Sequence, residues 1–370
     1  MASMAGSTAA SAPRSTSILT PIVDFLCVGG LSIIVFIPML LSGQPIDWVT
    51  IGTVAWAQLV INYAHFMASY RIVYRDKETI LKHKWATIGI PLIMLVCLVY
   101  ALFEVQQGSQ FMLVVFFTVA SAYLAWHYTG QAWGMMVTYA HLNEMRFDRL
   151  EYWLIRGGLR ILLTWHVVWF LRTTLKDPSQ VEAIYQIATW ASFLAALMGV
   201  VGLVRMKMRT GKNPPFLALV AWASIFVWYM LIAKYGLVGL FLVQFAHALQ
   251  YLEFPTRIEI NRAAKNTARS QGTQLVVYCA GLVIVTMLVT TFVPGPTKAV
   301  AATLLGAGPD SIAPVLISYF IAIHHFFTDG VIWKLRNPDV QVDLFAHARP
   351  VAATVPVPPL WWQKGFWIRH

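Results

Sequence analysis

Charge is scarce in this 370-residue chain: only 12% of its residues are Asp, Glu, Lys or Arg, about half the share found in an ordinary soluble domain. A soluble globule with a polar shell is thereby excluded. With 58% hydrophobic and 14% aromatic residues, a disordered chain is excluded too, because so much apolar surface more than offsets the entropy of ordering. Cysteine is scarcer still. Cys27, Cys97 and Cys279 each lie inside an apolar run, which leaves neither a disulfide framework nor a thiolate zinc site, so any metal must be held by histidines and carboxylates. Acidic residues number 16 against 27 Lys and Arg, for a net charge of +11. The basic residues sit at the ends of apolar runs, so their pattern speaks for a membrane and against a nucleic-acid partner.

What is present in abundance is long hydrophobic runs. A bilayer core takes about 20 helical residues to cross, and lipid tolerates only segments that satisfy their own backbone. The sequence therefore predicts an all-α polytopic membrane bundle of about ten spans, near 18–43, 48–72, 85–104, 111–140, 153–172, 183–204, 216–233, 235–254, 273–293 and 311–333. Of the 27 Lys and Arg, all but Arg172, Lys176, Lys234 and Lys298 fall on one side if both termini are cytoplasmic, so the positive-inside rule predicts an N-in, C-in protein of a bacterial inner membrane. Residues 1–17 read as a disordered cytoplasmic leader, 18–333 as one integral domain without a fixed repeat, and 334–370 as a cytoplasmic, interfacial tail rich in Pro and Trp. The run after the leader exceeds a signal-peptide core and lacks a cleavage site, so it reads as span 1.

Ionisable groups inside spans are costly and ask for a function. Here they are mostly histidines: His65 in span 2, His127 and His141 in span 4, His247 in span 8, and His324 and His325 in span 10. These spans are all even-numbered and so run in the same sense, which predicts that several imidazoles meet in the inner half of the membrane. Residues three or four apart share a helix face. Each histidine has such companions: His65 with Asn62 and Ser69, His127 with Gln131, His247 with Gln250 and Tyr251, and His325 with Asp329. A carboxylate one turn from an imidazole suits a hard or borderline cation. His166 in span 5 reads equally well as a hydrogen-bonded packing residue, Asp24 as a helix cap, and His347 as a solvated tail residue.

The chemistry these residues predict is a metal-dependent oxidoreductase acting on an apolar, lipid-like substrate from the cytoplasmic half of the bilayer, with an electron donor. The expected metal ligands are His65, His127, His247, His324, His325 and Asp329, with His141 and Glu253 as further candidates. Asp329, Tyr251 and Gln131 are the expected catalytic or supporting groups. Iron, as a di-iron pair, is the first expected cofactor and copper the next. Ligand atoms scattered beyond about 8 Å would exclude the site, since ligation needs about 2.0 to 2.2 Å. A second expectation is a haem b electron carrier, because His127 and His141 would lie about 21 Å apart along one helix, a spacing that resembles the bis-His helix of b-type cytochromes. A third is a proton-coupled transporter whose buried His, Asp and Glu titrate.

Overall fold

Lipid offers a backbone no partner but itself, and the apolar runs coil accordingly. The computed structural model describes residues 15–45, 48–175, 177–265, 270–293, 309–333 and 338–348; the expected leader up to residue 14 and the tail from 349, with Trp361, Trp362 and Trp367, lie outside the described residues. Among the described residues there is no strand, and nine helices are long and apolar enough to cross a membrane: α1 (Pro21–Ser42), α4 (Trp85–Gln106), α5 (Phe111–Leu142), α6 (Arg149–Thr174), α7 (Ser179–Thr210), α8 (Phe216–Tyr235), α9 (Leu237–Lys265), α10 (Gln271–Phe292) and α11 (Pro309–Ile332). The expected count was ten. The difference is α2 (Trp48–Val73), whose 26 residues reach about 39 Å at 1.5 Å each but whose inner face carries Gln58, Asn62, His65 and Ser69, all buried. Those polar residues dilute its apolarity and mark it as a helix of the bundle interior.

The contacts fix which helix ends lie together. Arg71 near the end of α2 pairs with Glu259 of α9 at 3.0 Å. Trp333, just past α11, donates to Tyr251 of α9 at 2.7 Å, and Tyr139 near the end of α5 donates to Glu253 of α9. The C-terminal ends of α2, α5, α9 and α11 thus share one end of the bundle, the end that also carries the basic loops. A short helix α3 (Lys77–Lys82), capped by Asp76 accepting from the Thr79 N–H at 2.7 Å, lies at this end. Within the stretch expected to form the interfacial tail, the helix α12 (Pro338–Leu344) docks there: Asn261 of α9 donates to the Asp343 carbonyl at 2.8 Å and Arg262 pairs with the Asp343 carboxylate at 2.7 Å. Pro338 suits the first helical position because its missing N–H has no partner to lose there.

Two helices need their glycines. In α1 the turn Leu26–Gly30 widens, and Gly29 adopts φ 146°, a conformation closed to most side chains. A Cβ there would sit 2.4 Å from Ser224 of α8. The groups freed by the break find partners: the Gly29 carbonyl accepts from Ser32 at 2.7 Å, Ser32 in turn accepts from Trp228, and the Val28 carbonyl accepts from Gln250. At Gly158 of α6 an added Cβ would meet the Ala195 carbonyl of α7 at 2.7 Å, the close backbone approach that small residues give helix pairs in lipid.

The basic end is locked by the turn before α6. Asp148 and Glu151 form a reciprocal cap, and the fully buried Glu151 takes both nitrogens of the Arg209 fork at 2.8 Å while Arg205 reaches Asp148 at 2.9 Å. Burial opposes the charge on Asp148, but the Glu151 N–H and Arg205 outweigh it and hold the carboxyl below the ordinary carboxylate range. A depressed carboxyl stabilises the fold above its unfolded pKa and loses that stabilisation as pH falls through the folded value. Asp148→Ala, which removes that carboxyl and the cap it provides, should therefore cost about 1 to 2 kcal/mol at neutral pH. In thermal unfolding in detergent, part of the difference between wild type and variant should fade as the pH drops into the carboxylate range. A pH-independent difference would contradict the electrostatic part of this account.

Candidate metal centre

At mid-depth, α2, α5 and α11 each turn one histidine to a common point, and α9 places a fourth beside it. One nitrogen each of His65, His127 and His325 and one oxygen of Asp329 lie within 4.8 Å of one another. His65, His325 and Asp329 are buried, and the His127 side chain is 10% exposed. Helical spacing does the local work: His325 and Asp329 sit one turn apart on α11, so the His325 Nε2 comes to 3.2 Å from Asp329 Oδ2, and His127 Nε2 approaches the same oxygen at 3.5 Å. The rings of His65 and His325 meet edge to face at 4.2 Å between centroids. His247 stands beside this group rather than in it, its ring 4.7 Å from that of His127 and 5.1 Å from that of His65.

Asp329 is divided between two tasks. Its Oδ1 accepts from Ser69 at 2.9 Å and from Tyr251 at 2.8 Å, and Tyr251 is itself held by Trp333. Its Oδ2 has no hydrogen-bond donor and faces the imidazoles. Both nitrogens of His65, His247 and His325, and Nε2 of His127, are likewise buried without a hydrogen-bond partner. Buried polar groups are normally paired, the more strictly where lipid excludes water. A concentration of unpaired nitrogens around one free carboxylate oxygen is the donor set of a cation. Around an ion at about 2.1 Å from each ligand, neighbouring ligand atoms lie about 3.0 to 3.4 Å apart and opposed ones about 4.2 Å, so small ring movements would bring the observed group onto one ion.

The other expected residues go elsewhere. Neighbours on a helix diverge by about 100°. His324 and His325 therefore cannot both face the ion, and the His324 ring is held outside by Tyr70 at 3.2 Å, Tyr74 at 3.3 Å and the Ala86 carbonyl at 3.0 Å. His141 lies four turns beyond His127 at the basic end, its ring 4.8 Å from Phe345. Gln131 braces the surroundings: it donates to the His247 carbonyl at 3.1 Å and to Gln250 at 2.8 Å. Tyr251 positions Asp329 from behind. His166 is fully buried against Tyr229 and Tyr128, and Tyr128 packs 4.6 Å from His247.

A cavity of about 50 Å³ adjoins the centre, lined among others by Asn62, His65, Tyr128, Gln244, His247 and Phe326. A site opening toward the cytoplasmic half was expected. The cavity instead extends from the histidines toward the N-terminal ends of their helices, away from the basic loops, because Tyr251, Trp333 and Gln250 fill the space on the other side. Trp333 and the Gln58–Gln244 pair, which bridges α2 and α9 at 2.7 Å, were not anticipated. The one sequence signal for the pair is a glutamine inside each of two apolar runs.

No family model, curated protein or solved structure matches the chain. The chain is a membrane-spanning helical protein with a His/Asp group that can hold a metal ion.

Proposed function

We propose that this protein is a membrane-embedded oxidoreductase whose iron is held by His65, His127, His325 and Asp329, with His247 beside them as a further donor. The observation that carries the reading is the meeting of three imidazoles and one free carboxylate oxygen, within 4.8 Å, in the lipid-excluded core. One ion, not two, suits a set with a single carboxylate, since paired metals about 3.5 to 4 Å apart share bridging carboxylates. Histidines with one carboxylate and no sulfur are the donors of non-haem iron that leaves a position open for dioxygen. The cavity of about 50 Å³ has room for a diatomic molecule, as a water occupies about 30 Å³ in the liquid. Dioxygen as oxidant and an apolar, membrane-dissolved reductant fit these surroundings; a copper ion in the same ligands is the competing assignment. Against a haem at His127, its ring is flanked by those of His65, His247, His325 and Phe326 at 4.7 to 6.1 Å, which leaves no gap for a porphyrin.

The test uses nitric oxide as a stand-in for dioxygen. The full chain, loaded anaerobically with ferrous iron, should give the high-spin ferrous nitrosyl signal in electron paramagnetic resonance. Ala322→Phe, which fills the cavity wall one turn before His325, should keep its iron and lose most of that signal. Iron bound without any nitrosyl signal would overturn an open, dioxygen-binding site.

A further inference from the structure

A second cluster of ionisable groups lies between the metal centre and the basic end. Glu253 follows His247 by six residues on α9, about 9 Å along the helix axis, and is 1% exposed. Tyr139 of α5 donates to its Oε1, and its Oε2 is buried with no partner. Facing it is Asp24 of α1, fully buried, which accepts the backbone N–H groups of Ile18 at 2.6 Å, Leu19 at 2.8 Å and Thr20 at 3.1 Å. The Tyr139 hydroxyl reaches Asp24 as well. Arg257, one turn after Glu253, binds the Ile18 and Leu19 carbonyls of the segment that cradles Asp24. The remaining titratable neighbours are Cys27 of α1, which feels both carboxyls, and His347 after α12, which feels Asp24 and Arg257 and hydrogen-bonds the Ser17 carbonyl at 2.9 Å.

The charges do not balance. Two carboxyl groups share one guanidinium, and a lone buried charge in a membrane is costly. Asp24, with three N–H donors and Arg257 nearby, holds a negative charge more readily than Glu253 does. Glu253 has one donor and a bare oxygen, and a proton on Oε2 removes the surplus charge. The cluster also has a connection on each side. Toward the metal, Gln250 lies one turn before Glu253 and is bonded to Gln131, which holds the His247 carbonyl. Toward the basic end, Asp24 leads to the half-buried His347.

We propose that Glu253 is a proton-carrying site, loaded from the basic end of the bundle through Asp24 and Tyr139 and discharged toward the metal centre. The delivery half rests on the oxidoreductase reading above; the carrying half does not. In the step, the carboxyl O–H bond of Glu253 breaks, its electron pair stays on the carboxylate, and the proton goes to oxygen that has taken electrons from the apolar reductant. A proton from the basic end then restores the carboxylic acid.

The experiment reads the carboxylic C=O stretch in the infrared, on the full chain in lipid nanodiscs with and without iron. A band lost in Glu253→Gln, displaced but kept in Glu253→Asp, and shifted in deuterium oxide would support the site. In the iron-loaded protein, Glu253→Gln should slow dioxygen reduction about 100-fold and leave the iron content and the nitrosyl signal unchanged, with Glu253→Asp restoring part of the rate. No band assignable to Glu253, a band that does not exchange with deuterium, or a band abolished by sodium ions would overturn the carrying role, the last by making it a cation site. An unaltered rate in Glu253→Gln would overturn delivery. A protein that binds no iron but shows the exchangeable band would refute the oxidoreductase reading and support the proton site alone.

Discussion

His325→Ala should reduce bound iron from about one ion per chain to a small fraction of that, with the affinity falling by more than the 10- to 100-fold typical of losing a supporting group around a metal. His325 is the residue on which the site's geometry converges. Its Nε2 lies 3.2 Å from the free oxygen of Asp329, its ring meets that of His65 at 4.2 Å, and both its nitrogens lack a hydrogen-bond partner. His324→Ala is the matched control, because that ring is held by Tyr70, Tyr74 and the Ala86 carbonyl outside the centre. It should retain its iron. Elemental analysis of both variants after identical purification decides the matter, with near-equal metal content in the two contradicting the ligand assignment.

Gly29→Ala should be among the most damaging single substitutions in the bundle, although it adds one methyl group. The residue sits at φ 146°, and its new Cβ would lie 2.4 Å from Cβ of Ser224. Backbone strain at such a conformation costs on the order of 1 to 3 kcal/mol, and forcing an atom into a packed contact costs a similar amount. The sum is a large share of the stability of an ordinary domain. Folded yield and thermal midpoint should both fall. Pairing the change with Ser224→Gly removes the collision but not the strain, so the double variant should recover only partly. Full recovery would show that the break in α1 demands nothing of its backbone.

Much of this architecture was legible in the sequence because the bilayer imposes it. Apolar runs of sufficient length had to be helices, and the even-numbered spans that carry His65, His127, His247 and His325 had to run in one sense. Their convergence therefore followed from chain order. The same reasoning could not separate His324 from His325, since that depends on the rotation of α11 about its axis, which the packing of Tyr70 and Tyr74 sets. It could not place the cavity either. Its direction depends on Tyr251 and Trp333 filling one side of the centre, and Trp333 lies just past the end of α11, where sequence patterns fade. The meeting of Asp24 with Glu253 was hidden for a different reason: the two lie far apart along the chain, and the widened turn at Gly29 that shapes their surroundings leaves only a Gly-Gly pair as its trace. His141 resembled a ligand by spacing alone, and spacing along one helix says nothing about what faces it.

X-ray absorption at the iron edge of the purified, iron-loaded full chain tests the central claim most directly. The account predicts a single iron with nitrogen and oxygen neighbours at about 2.0 to 2.2 Å, multiple scattering from at least three imidazole rings, no sulfur, and no second iron nearby. Loss of an imidazole contribution in His65→Ala, His127→Ala and His325→Ala alike would complete the agreement. Iron that shows only water-like oxygen neighbours, or a spectrum unchanged by all three substitutions, would contradict it.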